Sequence, residues 1–164
     1  MKYTRFEELP VWQAGMELSE NVFRLTEHKS FSYKGDLRSQ SQRAALSVCN
    51  NVAEGFERGT TQELLTFLYI ARASAGEVRS MHILCERLPY FTDLKSEISD
   101  LKLKAESISR QLRAWADSLQ NSDIKGHRYL NDQTRAEDDQ KKRADAFVAK
   151  LKQVQQKGSR ATSG

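Results

Sequence analysis

The chain has 164 residues, of which 38% are hydrophobic and 29% are charged, and its formal net charge is +4. This length suits one domain, or one domain with a tail. The longest nearly unbroken apolar run, Leu64–Ala71, is far shorter than the roughly 20 residues of a membrane-spanning helix, so we expect no membrane partner. The N-terminus lacks the apolar segment of a secretory signal, and the widely separated Cys49 and Cys85 suit reduced thiols, so we expect a cytoplasmic protein.

The excess positive charge lies in the C-terminal part of the chain. Residues 1–121 hold 16 Lys and Arg and 16 Asp and Glu, whereas residues 122–164 hold 10 and 6. We therefore predict a helical-bundle domain over 1–121 and a basic, partly helical or disordered tail over 122–164. A solvated tail is the simpler interpretation of this charge, and attraction to nucleic acid through counterion release is the alternative.

Two helices are predicted in the first third of the chain. The first follows Pro10 and runs to about Glu27, with an inner side formed by Val11, Trp12, Met16, Ser19, Val22 and Phe23. The second runs from about Asp36 to Arg58, and its core stripe consists of Leu37, Ser41, Ala45, Val48, Val52 and Phe56. Beside that stripe lies a more polar one with the same spacing, made of Gln40, Ala44, Ser47, Asn51, Glu54 and Arg58.

A third helix is predicted from about Thr61 to Leu88, because Thr60 and Glu63 have the spacing of a capping box. Its first apolar seam consists of Leu64, Leu68, Ala71, Ala75, Val78, His82 and Cys85. A second seam beside it consists of Phe67, Ile70, Ser74, Glu77, Met81, Leu84 and Leu88. Two seams make a wide apolar band, which predicts burial on a second side.

The fourth helix has the strongest pattern, a heptad seam with Thr92 as the expected N-cap. The seam consists of Leu94, Ile98, Leu101, Ala105, Ile108, Leu112, Trp115 and Leu119. Four helices with short links predict an all-α, antiparallel up-down-up-down four-helix bundle. In the tail, Ala144, Phe147, Leu151 and Val154 predict one short amphipathic helix near residues 134–156.

No pattern of catalytic residues is evident. The sequence contains no phosphate-binding glycine loop, no H-E-x-x-H and no Glu-x-x-His pair, so we predict no enzyme activity, no catalytic residue, no cofactor and no metal. His82, Cys85 and Cys49 could bind zinc with a fourth ligand. The alternative, a core thiol at Cys85 and a boundary histidine, is favoured because no CxxC-type spacing is present.

The polar residues inside helical seams leave two interpretations open. Glu54 and Arg58 on the second helix can form an ordinary i,i+4 ion pair on a solvated face, with Ser47 and Asn51 beside them. Alternatively, these residues form a polar layer that fixes the register against another helix or another subunit, because buried polar groups must find partners. Spacing alone does not decide between the two.

Three segments together resemble one protein family. They are Gln40-Ser-Gln-Arg-Ala-Ala-Leu-Ser-Val-Cys-Asn-Asn-Val-Ala-Glu-Gly55, Phe67-Leu68-x-Ile70-Ala71-x-x-Ser74-x-x-Glu77 and Phe6-x-x-Leu9-x-Val11-Trp12-Gln13. They are similar to the motifs of a bacterial four-helix-bundle family first named for proteins encoded by intervening sequences in 23S ribosomal RNA genes. This family includes relatives of the accessory variability protein of diversity-generating retroelements, and the resemblance covers residues 6 to about 120.

The resemblance implies a non-catalytic bundle that assembles with itself into a homopentameric ring. For the retroelement branch it implies binding to RNA or DNA and to a reverse transcriptase through a basic surface. The candidate nucleic-acid-binding residues are Lys34, Arg38, Arg43, Arg58, Arg72, Arg79, Lys141, Lys142 and Arg143. A structural or intersubunit role is expected for the motif residues Gln40, Arg43, Ser47, Asn51, Glu54, Gly55, Ser74 and Glu77. The alternative function is an assembly or scaffold protein with a protein partner and no direct role on nucleic acid.

Overall fold

The computed structural model describes residues 3–32, 34–121, 140, 143–144 and 146–148. Within these ranges the regular structure is all-α, with four long helices and no strand, as the sequence predicts. The long helices are α1 (Pro10–Thr26), α2 (Gly35–Glu57), α3 (Thr61–Arg87) and α4 (Lys95–Gln120). Short 3-10 helices span Phe6–Glu8, Lys29–Phe31 and Pro89–Leu94.

The chain divides into two compact units, Met1–Gly126 and His127–Gly164. In the second unit, residues 140, 143–144 and 146–148 are helical, and Phe147 and Val148 are exposed. These positions fall within the amphipathic helix predicted near 134–156, whose other residues lie outside the described part of the chain, as does most of the predicted tail. No helix in the described ranges is both long and apolar enough to cross a membrane.

In the first unit, each long helix packs against the next one along the chain, and α1 also packs against α4. Ser41 of α2 meets Met81 of α3, and Ser47 meets Ser74. Between α3 and α4, Tyr69 bonds to Gln120, and Glu86 pairs with Lys102. The four helices enclose one hydrophobic core.

The predicted core stripes of α2 and α4 are confirmed. Along α4, every residue of the seam from Leu94 to Leu112 is buried, and Trp115 and Leu119 are partly buried against the core. Along α2, the stripe from Ser41 to Phe56 is buried, and Leu37 packs at its edge. A repeat of alternating three and four residues places these side chains on one face of a helix, so the pattern alone predicts which residues are buried.

The predicted inner side of α1 is partly wrong. Phe23 is 38% exposed. Val11, Ser19 and Val22 are buried as predicted, and the buried residues also include Gly15, Leu18, Leu25 and Thr26. Gly15 interrupts the apolar pattern in the sequence, but a Cβ there would already lie 3.3 Å from Val48 Cγ1, because α1 and α2 approach closely at this glycine. Because glycine has no side chain, the apolar pattern of the sequence does not show that position 15 faces the core.

The predicted N-cap of α4 is also wrong. Thr92 lies inside the 3-10 helix Pro89–Leu94, where its hydroxyl donates to the Pro89 carbonyl oxygen at 2.9 Å. Proline is well suited to the first position of a helical turn, so the chain already turns at Pro89, before Thr92 can cap a helix. The segment is anchored by Phe91, which is buried with its ring centroid 4.7 Å from that of Phe31.

The capping box at the start of α3 is confirmed in a variant form. The Thr60 hydroxyl accepts from the Glu63 backbone N–H at 3.2 Å and donates to Glu63 Oε2 at 2.7 Å. Here the carboxylate of Glu63 bonds to the Thr60 hydroxyl, whereas the usual box uses the backbone N–H of the capping residue. The cap fixes the entry of the chain into α3 only three residues after α2 ends at Glu57.

We expect Thr60→Ala to lower the free energy of unfolding by about 1 kcal/mol, because an orphan backbone N–H of α3 loses its acceptor. Thr66→Ala is the matched control, since the exposed Thr66 hydroxyl only bonds back to Gln62 O within the helix. That variant should be neutral or slightly more stable, because alanine is the better helix former. Urea unfolding of both variants measures the difference, and equal losses would contradict a capping role.

Candidate functional site

A groove of about 640 Å³ runs between α2 and α3. It is lined by Gln40, Arg43, Ala44, Ser47, Ile70, Ser74, Glu77, Ser80 and Met81. Five of these, namely Gln40, Arg43, Ser47, Ser74 and Glu77, are motif residues for which the sequence predicted a structural or interface role. The structure therefore brings the two motifs together across one helix–helix contact.

The base of the groove is a chain of hydrogen bonds that crosses from α2 to α3. Asn51 Nδ2 donates to the Ser47 carbonyl oxygen at 2.7 Å and to Ser47 Oγ at 2.9 Å. Ser47 Oγ lies 2.8 Å from Ser74 Oγ, and the Ser74 hydroxyl donates to the Ile70 carbonyl oxygen at 3.0 Å. Since the Ser74 proton is used on Ile70, the proton between the two hydroxyls belongs to Ser47. These polar residues thus join two helices within one chain.

One end of the α2–α3 contact is closed by Gly55. A Cβ at this position would lie 2.7 Å from the Cβ of Phe67, a separation that real Cβ atoms do not show. Gly55 is thus required by the close approach of the two helices and not by its backbone torsion angles. This motif residue has a packing role inside the chain.

The side chains of Arg58 and Glu54 interact with each other near the C-terminal end of α2. Arg58 donates to Glu54 at 2.7 Å, lies 3.6 Å from Glu63, and stands over the Phe67 ring at 5.3 Å from its centroid. The hydrogen bond that Arg58 donates to Glu54 raises the pKa of the Arg58 guanidinium above its usual value. Arg58, a candidate phosphate ligand from the sequence, therefore already carries intramolecular contacts.

The upper walls of the groove carry two opposite charges. Arg43 of α2 lies one turn from Ser47, on the side of the groove that holds Met81. Glu77 of α3 lies one turn from Ser74 on that same side, so the two charged groups stand at about the same height on facing helices. Within the described residues neither Arg43 nor Glu77 has an ion-pair or hydrogen-bond partner. They face solvent across the groove.

The second apolar seam of α3 is only partly covered. Met81 and Leu88 pack at the edge of the core and Phe67 is half-buried, whereas Ile70 is 43% and Leu84 is 48% exposed. The predicted burial on a second side is thus only partly observed. The remaining apolar surface adjoins the rim of the groove.

Within the first unit, the candidate nucleic-acid-binding residues do not form one patch. Lys34 lies over the Tyr90 ring at 4.5 Å from its centroid, and Arg38 is exposed near the start of α2. Arg72 and Arg79 share a heptad-spaced stripe of α3 with Glu86, which pairs with Lys102 of α4, so they lie away from the groove. In the second unit Arg143 is exposed and helical. Lys141 and Lys142 lie outside the described residues.

The three possible zinc ligands are not brought together. His82 is only 1% exposed, so its prediction as a boundary residue is wrong, whereas Cys85 is a buried core thiol as expected. Cys49 packs toward α1, with its Sγ 3.8 Å from Ser19 Oγ. The Ser47–Ser74 contact sets Cys49 roughly ten residues, or about 15 Å, from the height of His82. No group of three potential metal ligands occurs within the described ranges.

Burial shifts the pKa values of both His82 and Cys85. His82 Nδ1 donates to the Val78 carbonyl oxygen at 2.7 Å, while its buried Nε2 has no hydrogen-bond partner among the residues that the structure describes. Burial lowers the pKa of His82, because desolvation disfavours the imidazolium more than the hydrogen bond to Val78 favours it. Burial also raises the pKa of the Cys85 thiol to about 11. Both groups therefore stay uncharged in the core at neutral pH.

A second cleft, of about 540 Å³, lies between α1 and α4. No sequence pattern predicted this cleft. It is lined by Asn21, Arg24, Leu25, His28, Leu94, Glu97, Asp100, Leu101 and Lys104. The contact between α1 and α4 joins distant parts of the chain, and no motif marks it. Lys104 is paired with Glu17 next to this cleft.

These features define a class of protein: an all-helical bundle whose polar motif residues fasten two adjacent helices and border an open groove. Residues 7–114 match the family described as 23S rRNA-intervening sequence protein. The match covers more than half of the chain, and the chain belongs to this 23S rRNA-intervening sequence protein family. The resemblance read from the three motifs is thereby confirmed. A comparison with curated proteins found no match.

Proposed function

We propose that this protein is a non-catalytic, oligomeric accessory protein that binds RNA or DNA in the cytoplasm. Membership of the 23S rRNA-intervening sequence protein family is the observation that carries the proposal. Supporting it, Arg38, Arg43, Arg72 and Arg79 have no ion-pair partner within the described residues, so their guanidinium groups are available to phosphate. A reverse transcriptase is the protein partner proposed for a retroelement setting.

The proposed assembly is a homopentamer of up-down-up-down bundles. The topology is supported by the order of contacts between helices: Ser41 meets Met81, Ser47 meets Ser74, and Arg58 meets Glu63. The pentamer follows from the family resemblance, and its mass in solution would be five times that of the 18.8 kDa chain. Light scattering tests this number directly.

The nucleic-acid role is tested by the salt dependence of binding to structured RNA and duplex DNA. We expect affinity to fall steeply with added salt, because phosphate contacts release counterions. The triple variant Arg38→Gln, Arg72→Gln and Arg79→Gln removes charge from the bundle, and Lys141→Gln, Lys142→Gln and Arg143→Gln removes the same charge from the C-terminal unit. If the substituted residues bind phosphate, the salt slope of that variant should be reduced by about 1 for each cation that no longer meets a phosphate group.

The result separates the two sources of affinity. A shallower slope in only one triple variant assigns the phosphate contacts to that unit. Absence of binding by the unmodified protein at about 50 mM salt, where phosphate contacts are strongest, would exclude the nucleic-acid role.

A second candidate function is a structural assembly or scaffold protein of the intervening-sequence type, with a protein partner and no direct contact to nucleic acid. Ile70 and Leu84 favour it, since both expose large apolar side chains beside the α2–α3 groove. Retained self-assembly together with no nucleic-acid binding at low salt would support this function over the first.

A further inference from the structure

We propose that the cleft between α1 and α4 binds a free α-amino acid with an apolar side chain. Arg24 binds the carboxylate of this ligand, Glu97 and Asp100 bind its ammonium group, and leucines at the floor of the cleft contact its side chain. The inference goes beyond the proposed function, and it depends neither on nucleic-acid binding nor on the number of chains in the assembly. It rests on the opposed charges and the apolar floor of the cleft.

An ion pair beside the cleft fixes the relative height of α1 and α4. Glu17 of α1 pairs with Lys104 of α4. Arg24 lies seven residues after Glu17, Glu97 lies seven residues before Lys104, and both line the cleft. Seven residues make about two helical turns, so Arg24 and Glu97 stand at about the same height on facing helices, each about 10 Å from the ion pair.

These opposite charges face each other without pairing. Within the described residues, the Arg24 guanidinium donates only to the neutral Asn21 Oδ1, at 3.3 Å. The side chains of Glu97 and Asp100 have no ion-pair or hydrogen-bond partner in the same ranges. The cleft therefore presents one cation without an acidic partner on its α1 wall, and two carboxylates without a cationic partner on its α4 wall.

The floor of the cleft is apolar. Leu25, Leu94 and Leu101 line it, and all three are buried members of the core. A volume of about 540 Å³ lies within the range of small-molecule sites, which is roughly 300–1,000 Å³. In such sites the apolar surface contributes affinity, and a few polar groups fix the orientation of the ligand.

Charge complementarity selects the class of ligand. A guanidinium binds a carboxylate through two parallel hydrogen bonds, and two carboxylates can accept the N–H groups of one ammonium. The ligand must therefore carry both charges beside an apolar group, which is the composition of a free amino acid with an apolar side chain. A phosphate group would be repelled by Glu97 and Asp100, and an amine without a carboxylate would leave Arg24 without an anion.

The test compares L-leucine with two analogues that each lack one of its charges. Calorimetric titration of the full chain should detect binding of L-leucine and L-phenylalanine. 3-Methylbutylamine lacks the carboxylate of leucine and 4-methylpentanoate lacks its ammonium group, so each should bind at least about tenfold more weakly. Methyl NMR should show shifts at Leu25, Leu94 and Leu101 on addition of L-phenylalanine, which places the ligand in this cleft.

Variants of the charged walls test the role of each group. Arg24→Gln and the double variant Glu97→Gln with Asp100→Asn should each weaken L-leucine binding by at least about tenfold. Arg24→Gln should not weaken the binding of 3-methylbutylamine, because that amine has no carboxylate. Arg110→Gln and Glu20→Gln make the same kinds of charge change outside the cleft and should leave L-leucine binding unchanged. Circular dichroism establishes that each variant folds.

Several results would overturn the proposal. They are absence of binding of both amino acids at millimolar concentration, equal affinity for L-leucine and 3-methylbutylamine, and normal L-leucine binding by the two cleft variants. Methyl shifts confined to other parts of the chain would also overturn it. Titration of the same preparations with RNA and DNA tests the proposed function separately, because no substituted cleft residue is among the candidate phosphate ligands.

Discussion

Replacing Gly55 by alanine is expected to lower the free energy of unfolding by about 2 kcal/mol, although alanine is the better helix former by about 1 kcal/mol. The added Cβ would lie 2.7 Å from Phe67 Cβ and 3.2 Å from Leu64 Cδ1. The Phe67 Cβ is bonded directly to the backbone, so it cannot move away by a change of rotamer. The helices must separate, which weakens packing along the whole α2–α3 contact.

Gly76→Ala is the matched control for Gly55→Ala. Gly76 lies in the interior of α3, and a Cβ there would meet nothing within 4 Å. Its replacement should therefore raise the free energy of unfolding by up to about 1 kcal/mol, through helix propensity alone. Chemical denaturation of both variants, fitted with a common m-value, compares the two changes. If both variants shift in the same direction, the close approach at Gly55 does not limit stability.

Stability is expected to fall as the pH drops below about 6.5, the ordinary pKa of histidine, because His82 is buried and its Nε2 has no partner in the described part of the chain. Its pKa is lowered in the folded state, so the unfolded chain binds the proton more tightly. The loss therefore begins near the unfolded pKa and continues until the pH reaches the lower, folded pKa. Its slope approaches about 1.4 kcal/mol per pH unit within that window.

His82→Leu isolates this contribution, since leucine fills a similar volume and cannot be protonated. Urea unfolding of the variant and the unmodified chain between pH 7 and pH 5 should give curves that diverge as the pH falls, with the variant losing less stability. His28→Gln serves as the control, because His28 is only half-buried and its Nδ1 accepts from Ser30. Parallel pH profiles for His82→Leu and the unmodified chain would contradict a neutral His82 in the core.

The helices were predictable because their patterns are local. The seam of α4 from Leu94 to Leu112 repeats at helical spacing, and hydrophobic burial alone places it on the core. Where the sequence misled, a non-local contact decided the outcome at Gly15 and an earlier local turn decided it at Thr92. Gly15 reads as a gap in the apolar stripe of α1 until the neighbouring α2 is present. Thr92 has the chemistry of an N-cap, yet Pro89 starts the turn three residues earlier.

The sequence predicted which residues belong to the candidate site but not how they are arranged in space. Spacing showed that Ser47 and Asn51 share one face of α2, and that Ser74 and Glu77 share one face of α3, but it could not say which faces meet. The hydrogen bond between Ser47 and Ser74 resolves the open choice for these two, since they bond to each other within one chain. Spacing alone also could not distinguish the hydrogen-bonded residues at the base of the groove from the charged residues at its walls, which have no partner within the described ranges.

The fastening of α2 to α3 has a consequence for how the chain folds. A linker of only three residues joins α2 to α3. The contacts between these helices are the Thr60 cap, the close packing at Gly55 and the hydrogen bond between Ser47 and Ser74. Because these contacts join neighbouring segments, their loop-closure entropy cost is small. We expect this hairpin to form early and to be the last part to open. The contact between α1 and α4 joins the two ends of the bundle sequence, so its formation carries the largest loop-closure entropy cost. Transient opening of the bundle should therefore begin there, and would widen the cleft beside Lys104 while the α2–α3 hairpin stays folded.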